Sequence, residues 1–322
     1  MKRITSEAIA ALRIDPRQCV GWVREAFLMK GRAQLPPKIS LHPQGSDFIN
    51  TMPCLLPAEY RRFGCKVVSR IRGQHPALKS EMMLFDSSTG EMVALVNCDW
   101  ITAMRTGAVA ALAIRTLRRS GASVYAFVGL GVIGRATLDC LLASCAGERM
   151  HIRLMRYKDQ AERIVGEYGG TEGVSFSIAD TMEELVRGAD VVVSCITDAD
   201  GQLVDDPALF EPGVLVVPVH TRGFQNCDPV FDKVFADDTD HVRGFRYFDR
   251  FRRFGELGDV LAGTIPGANR TMSASSPTTS GSPSTTCCSA RRSSAKFPPP
   301  SLCRKCDGGL IIDRLPIGCR AA

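Results

Sequence analysis

One stretch of the chain, residues 124–134, constrains the fold more than any other part of the sequence. It begins with a mostly apolar run that predicts a buried strand, and residues 135–142 after it have helical character. Between the two, Gly129, Gly131 and Gly134 follow the G-x-G-x-x-G spacing. A strand, a glycine turn and a helix in this order predict a dinucleotide-binding unit of the Rossmann type.

Each glycine of this turn has a physical reason to be there. The first permits the tight turn, the second lets the backbone approach a pyrophosphate, and the third lets the helix pack closely on the strand. Free N–H groups at the helix N-terminus then face the phosphates, and the helix dipole favours their negative charge. The alternative is a glycine-rich turn in another kind of α/β domain. The predicted cofactor-binding residues of the turn are Gly129, Leu130, Gly131, Val132, Ile133 and Gly134.

The end of the second predicted strand bears on the choice of cofactor. In a site selective for NAD(H), an acid about 20 residues beyond the glycines accepts hydrogen bonds from the ribose 2′-hydroxyl. No acid occupies residues 154–157, and Asp159 already lies past the turn. Arg156 and Lys158 instead offer two positive charges for a 2′-phosphate. We therefore predict a nicotinamide cofactor with a modest preference for NADP(H). The alternative is that both residues are solvated and the site takes NAD(H) with little discrimination.

Length and charge limit the classes of partner. A chain of 322 residues suggests about two domains. Its net charge of +6 is mild and no dense Lys/Arg block is evident, so we do not expect nucleic-acid binding. Residues 1–11 lack the apolar core of a secretory signal, and no run reaches the roughly 18 apolar residues of a membrane span. Most of the 13 cysteines are scattered singly in apolar surroundings, as in reduced, cytoplasmic proteins.

Before the glycine turn, the sequence predicts a small α+β domain. Asp15 and Pro16 begin an amphipathic helix, and residues 31–57 are rich in proline and predicted to be irregular apart from a short strand at 38–41. A long helix at about 99–119 ends this part. A small antiparallel sheet is predicted between them, with strands at 65–71, 81–86 and 92–96.

From residue 122 onward, strands alternate with helices, which is typical of a parallel, doubly wound sheet. Thr181 and Glu184 have the spacing of a capping box at a helix start. The predicted strands cover residues 124–128, 150–155, 174–178, 189–196, 214–219 and 234–236. The predicted fold class is therefore α/β, a Rossmann-type doubly wound sheet plus an α+β N-terminal domain.

After residue 270 the composition changes. Residues 271–295 are dominated by Ser, Thr and Ala and keep no helical or strand period, so we expect a largely disordered tail. Cys303 and Cys306 have a spacing that zinc sites use, but no second pair has regular ligand spacing, and we predict no metal. The predicted domain limits are 1–119, 120–267 and the tail 268–322.

Further motifs resemble the ornithine cyclodeaminase/mu-crystallin family in the family's own order. They are G-C-K-V-V at 64–68, L-F-D-S-S-T-G at 84–90, D-W-I-T-A-M-R-T-G-A at 99–108 and G-E-L-G-D-V-L-A-G at 255–263. Residues 156–162, R-Y-K-D-Q-A-E, also resemble the pattern of NADP(H)-binding members. The resemblance implies an N-terminal domain that binds a small amino-acid or imino-acid substrate and forms a homodimer, joined to a domain that binds NAD(H) or NADP(H). We also assign Thr197 to the cofactor site.

The resemblance gives two residues catalytic roles. Arg105 is implied to grip the substrate α-carboxylate, for which its planar fork is suited. Lys66 is implied to bind substrate and handle a proton, and burial would lower its pKa toward neutrality. The alternatives are a surface arginine and a lysine that extends to solvent from an edge strand.

Two departures from the family's pattern concern the substrate. Arg222 falls near the position of the catalytic aspartate of ornithine cyclodeaminases, and residues 49–53 hold no acid where those enzymes have glutamate. Both departures argue against recognition of a terminal amine and against ring closure. The first function considered is an ornithine-cyclodeaminase-like enzyme that acts by hydride transfer on an α-amino or α-imino acid. The alternatives are an NAD(P)H-dependent amino-acid dehydrogenase or ketimine reductase, and a catalytically silent NADP(H)- and ligand-binding protein like mu-crystallin.

Overall fold

The computed structural model describes residues 1–45, 47–196, 201–219, 224 and 230–267. Contacts divide the chain after Thr102 into two compact units. Residues 103–119 join the second unit because they pack there: a Cβ at Gly107 would overlap the backbone of Ala136. The domain limits taken from the sequence stay a prediction. The predicted tail, with Cys303 and Cys306, lies outside the described residues.

The first unit is built on a six-stranded sheet in the order β1-β6-β5-β4-β3-β2, antiparallel except for the parallel pair β1 and β6. Asp15 caps the second helix by accepting a hydrogen bond from the Arg17 amide at 2.8 Å, as Asp15 and Pro16 predicted. The strands are β1 Lys2–Ile4, β2 Ile39–Leu41, β3 Phe48–Leu55, β4 Arg62–Arg70, β5 Leu78–Asp86 and β6 Met92–Asn97. The helices are α1 Ser6–Ala10, α2 Pro16–Met29 and the first turn of α3, Asp99–Leu117.

Two predictions for this unit were wrong. Residues 48–55 are not irregular, because β3 pairs with β4 along its whole length. Pro53 is tolerated since β2 pairs with β3 only as far as Thr51, so that no second partner needs an N–H at Pro53. The sheet is also larger than three strands, because β1, β2 and β3 extend it.

The second unit is a five-stranded parallel sheet in the order β11-β10-β7-β8-β9, which is the Rossmann order and agrees with the Rossmann-type sheet that the sequence predicted. Its strands are β7 Val124–Val128, β8 Met150–Met155, β9 Val174–Ala179, β10 Val191–Ser194 and β11 Leu215–Pro218. Its helices are the rest of α3, α4 Val132–Ser144, α5 Gln160–Tyr168, α6 Met182–Val186, α7 Thr239–Val242 and α8 Leu257–Ala262. Strands β10 and β11 are buried throughout, as expected for strands of a parallel sheet that is covered on both faces.

The sixth predicted strand does not join this sheet. Strand β12, Val234–Ala236, pairs in parallel with β13, Phe254–Glu256, to form a separate two-stranded sheet. The apolar run was correctly predicted as a strand, but its partner is a segment with no strong strand signal. Short 3₁₀ turns complete the described elements at Lys30–Arg32, Ala58–Tyr60, Pro207–Leu209 and Phe248–Arg250. Among the described helices, none is long and apolar enough to cross a membrane.

The predicted capping box is present at the start of α6. The Thr181 hydroxyl accepts from the Glu184 amide at 3.2 Å, and the Glu184 carboxylate accepts from the Thr181 amide at 3.3 Å. We expect Thr181→Ala to lower the free energy of unfolding by about 1 kcal/mol, because the orphan amide loses its acceptor. Chemical denaturation would measure this. Thr181→Ser, which keeps the hydroxyl, is the control, and equal losses in both variants would contradict the capping role.

Candidate active site

The glycine turn between β7 and α4 has the geometry that its sequence predicted. Gly129 has a left-handed backbone with φ of 84°, and a Cβ there would overlap the backbone of Cys195 and Ile196. A Cβ at Gly134 would overlap the carbonyl oxygen of Gly129, so the helix approaches the turn closely. At Gly131, by contrast, a Cβ would meet no atom within 4 Å among the described residues. The space beside Gly131 is therefore open to a ligand.

The turn lies where the strand order reverses, between β7 and β10, which is where such sheets bind ligands. Gly131 is the N-cap of α4 and has no side chain to cap the helix. The Val132 side chain is exposed, whereas Leu130 is buried, so of these two side chains only Val132 offers surface to a ligand. The turn fits a dinucleotide pyrophosphate, which the amides at the start of α4 would hold.

Arg156 follows β8 at the same carboxyl edge of the sheet. Its guanidinium forms ion pairs with Glu162 and, at 2.5 Å from Nε to Oδ1, with Asp180. Lys158 has a left-handed backbone with φ of 53°, and its Nζ lies 5.4 Å from the centre of the Tyr157 ring. Both predicted cations are thus exposed at the turn, but the sequence analysis did not identify the two acids that pair with Arg156.

Thr197, the remaining predicted cofactor-binding residue, lies outside the described residues.

Arg105 lies on α3 in the second unit. Its Nε and Nη2 atoms are buried and have no hydrogen-bond partner in the part of the chain that the structure describes. Removal from water lowers the pKa of Arg105 to about 10, while the charge of Asp237 opposes the shift. Asp237 directly follows β12 and is 5% exposed. A half-buried guanidinium that stays charged near neutral pH, and of which two nitrogen atoms have no partner among the described residues, suits an anionic ligand.

Lys66 lies on β4 in the first unit, opposite Met52 on one side and Met82 on the other. Because β4 is an inner strand, the alternative of an edge lysine does not apply. Burial raises the pKa of the Cys98 thiol to about 12. The charge of the nearby Lys66 ammonium opposes this shift. Lys66 is half-buried, on the sheet face that also carries the buried Val68.

Asn50 is a further polar side chain on this face. It pairs with Val68, is 2% exposed, and its Oδ1 has no hydrogen-bond partner within the described residues. The sequence showed only that residues 49–53 lack an acid; it did not single out Asn50. Alternation along a strand would have placed Asn50 and Met52 on one face, but residues 48–55 were not predicted to form a strand.

No group of three His, Cys, Asp or Glu side chains among the described residues could hold a metal ion. The two units thus present separate sets of polar groups. The second unit holds the glycine turn, Arg156, and Arg105 with the nearby charge of Asp237, and the first unit holds Lys66 and Asn50. Chemically, the residues of the second unit suit a dinucleotide and an anion. Those of the first unit suit a polar group of a substrate.

Comparison with known proteins extends this picture. The family model "Ornithine cyclodeaminase/mu-crystallin family" matches residues 4–274. The chain is 27% identical to the nodulation efficiency protein NfeD of Rhizobium meliloti over 74% of this chain and 76% of that protein. It is 26% identical to the ketimine reductase mu-crystallin of Mus musculus over 66% of this chain and 65% of that protein. A shorter match, 46% identical, covers 17% of this chain and 16% of the L-lysine cyclodeaminase of Streptomyces rapamycinicus.

Solved structures share the fold. An archaeal alanine dehydrogenase dimer with bound NAD gives a TM-score of 0.73 at 22% identity, covering 87% of this chain and 90% of that chain. The Δ1-pyrroline-2-carboxylate reductase of Thermococcus litoralis, in complex with NADH and L-proline, gives 0.74 at 20% identity, covering 86% and 91%. At these identities the similarity establishes the fold alone.

Proposed function

Because the chain belongs to the ornithine cyclodeaminase/mu-crystallin family, we propose that it is an NAD(P)H-dependent oxidoreductase that interconverts an α-imino acid and an α-amino acid. The observation that carries this proposal is the guanidinium of Arg105, whose buried Nε and Nη2 have no partner within the described residues. A substrate carboxylate satisfies both atoms through two parallel hydrogen bonds. Relatives named as a ketimine reductase and an L-lysine cyclodeaminase support a substrate of the imino-acid or amino-acid class.

The nicotinamide cofactor supplies the chemistry of hydride transfer when bound. The chain's own contribution is to hold and orient it. The open space at Gly131 admits the pyrophosphate, and the close packing of Gly134 on Gly129 fixes the start of α4 beneath it. NAD and NADH in the two structures of similar fold support a cofactor of this class.

Lys66 is the residue that we assign to proton transfer. Reduction of an imine adds a proton to its nitrogen, and a half-buried lysine ammonium is a suitable donor. In the reverse direction the amine of the same side chain accepts the proton. Arg105 remains charged throughout, because its pKa of about 10 lies above neutral pH.

A reductase agrees better with the substrate-side residues than a cyclodeaminase does. Cyclisation of a diamino acid requires recognition of a second, positively charged amine, for which a carboxylate is the usual partner. Residues 49–53 hold no carboxylate, and Asn50 on the buried face is neutral. Arg222, the other departure, lies outside the described residues. Cyclodeaminase stays the second candidate, favoured by the short match to L-lysine cyclodeaminase.

Two incubations test this choice. Purified protein is mixed with NADH or NADPH and either a cyclic ketimine or a 2-oxo acid with ammonium, and the nicotinamide absorbance is followed. It is then mixed with ornithine or lysine and NAD⁺, and cyclic amino acids are measured. In the first incubation we expect a loss of nicotinamide absorbance that depends on the imine. In the second we expect no cyclic amino acid from ornithine or lysine. Cyclic product from ornithine or lysine would establish the second candidate, and cofactor binding without turnover would establish the silent protein.

The same proposal includes a modest preference for NADP(H), with Arg156 and Lys158 contacting the 2′-phosphate. We expect Arg156→Ala to weaken NADPH binding more than NADH binding, and the gap to shrink at high salt because these charges are exposed. Fluorescence titration of both cofactors measures it. Arg163→Ala, which removes an exposed arginine paired with Asp159, is the control. Tighter binding of NADH than of NADPH to the unmodified protein would contradict the preference.

A homodimer is also part of the proposal, since the archaeal alanine dehydrogenase of similar fold is described as a dimer. Analytical ultracentrifugation tests this directly. The cytoplasmic location stays a prediction from the sequence.

A further inference from the structure

Arg156, Glu162 and Asp180 form a cluster that we call the Arg156 cluster. Strands β8 and β9 are paired in register up to Met155 and Ala179, so Arg156 and Asp180 are the next residues on neighbouring strands. The Arg156 amide donates to the Ala179 carbonyl at 2.9 Å, which fixes the two strand ends together. Glu162, in the first turn of α5, reaches the same guanidinium from the helix.

Asp180 is held in place from its other side. Its amide donates to the Glu184 carboxylate at 2.9 Å, and this carboxylate also completes the capping box of α6. The position of Asp180 therefore follows from the sheet register and from a capped helix, and does not depend on a freely moving loop. All three ionic side chains of the cluster are still about half exposed or more, so a solvent-borne ligand can reach them.

The cluster has a net charge of −1 when its three groups are ionised. Both carboxylates raise the pKa of Arg156, Asp180 more than Glu162. Lys158 is the positively charged residue nearest to Arg156 in the sequence, and its ammonium lies over the Tyr157 ring. A 2′-phosphate that approaches Arg156 consequently meets two negative groups already bound to the same guanidinium.

We propose that Asp180 and Glu162 set the cofactor preference of this protein by competing with the 2′-phosphate for Arg156. The inference rests on the proposed function, because it assumes that the turn after β8 binds the adenosine ribose. Asp180 is thereby a specificity-determining residue directly after the third strand, β9. In NAD-selective Rossmann sites, the acid that distinguishes the two cofactors follows the second strand. Its effect is to keep the protein able to use both cofactors.

Direct binding tests the inference without reference to turnover. NADPH and NADH are titrated by fluorescence into the full chain and into Asp180→Asn and Glu162→Gln. We expect each variant to bind NADPH about threefold to fivefold more tightly, which is the effect that one exposed charge pair supports. NADH affinity should stay within about twofold. Asp232→Asn removes one negative charge from an exposed pair with Arg252 and is the matched control.

The outcomes distinguish a failure of this inference from a failure of the proposed function. An unchanged ratio of NADPH to NADH affinity in both variants would overturn the inference alone. A ratio that changes through weaker NADH binding would also overturn it, since Asp180 would then bind the ribose hydroxyl. Absence of binding of either cofactor to the unmodified protein would remove the proposed function itself. Glu162→Gln changes only an exposed helix residue, so it decides the question even where Asp180→Asn fails to fold.

Discussion

Replacement of Arg105 by alanine is expected to lower kcat/KM for an α-imino acid by about thirtyfold to several thousandfold. The change leaves a carboxylate without its charged partner, at a cost of about 2–5 kcal/mol. Arg105→Lys should raise KM strongly as well, because lysine lacks the planar fork for bidentate binding. Steady-state kinetics at saturating cofactor measure both effects.

The control is Arg115→Ala, which removes an exposed arginine from the same helix, α3. It should leave kcat/KM unchanged. Cofactor titration of Arg105→Ala shows whether the cofactor site is intact, so that a loss of activity can be assigned to substrate binding. Kinetics in Arg105→Ala equal to those of the unmodified protein would exclude Arg105 from the substrate site.

Two glycine substitutions should separate folding from cofactor binding. In Gly134→Ala the new methyl overlaps the Gly129 carbonyl, so the backbone must shift. We therefore expect the free energy of unfolding to fall by at least about 1–3 kcal/mol. In Gly131→Ala the methyl meets no described atom, and stability should change by no more than about 1 kcal/mol, the scale of an N-cap substitution. That methyl nevertheless occupies the space of the pyrophosphate, so nucleotide affinity should fall about tenfold or more.

Thermal unfolding and fluorescence titration of the same two preparations give the comparison. Each variant is the control for the other, because both add one methyl to the same turn. A Gly131→Ala protein that binds NADPH and NADH as tightly as the unmodified protein would show that the turn does not hold the pyrophosphate. A Gly134→Ala protein of unchanged stability would contradict the close packing of α4 on the turn.

Much of the second unit could be predicted because its signals are local. Strands β7 and β8 begin and end at the predicted residues, since β7 is a mostly apolar run and β8 alternates apolar with polar residues. The three glycines could be assigned separate roles because the spacing of the turn fixes what each must do. The capping box of α6 was also readable, because it depends on residues three positions apart.

The sequence was less informative where structure depends on distant partners. Strand β3 was missed because proline normally weakens a strand, and only its pairing with β4 shows that Pro53 is tolerated. The acids around Arg156 were missed because Asp180 lies 24 residues away and reaches it through the register of β8 and β9. The effect of Asp237 on Arg105 likewise depends on the pairing of β12 with β13, and no local pattern predicted β13.

Transfer of a labelled hydride tests the central claim most directly. The protein is incubated with NADH or NADPH that carries deuterium at the transferable position of the nicotinamide ring, together with a cyclic ketimine or with a 2-oxo acid and ammonium. Mass spectrometry then locates the label. The proposed function predicts an amino acid with a single deuterium on its α-carbon. An intact cofactor and no deuterated amino acid, across both cofactors and both substrate types, would contradict it.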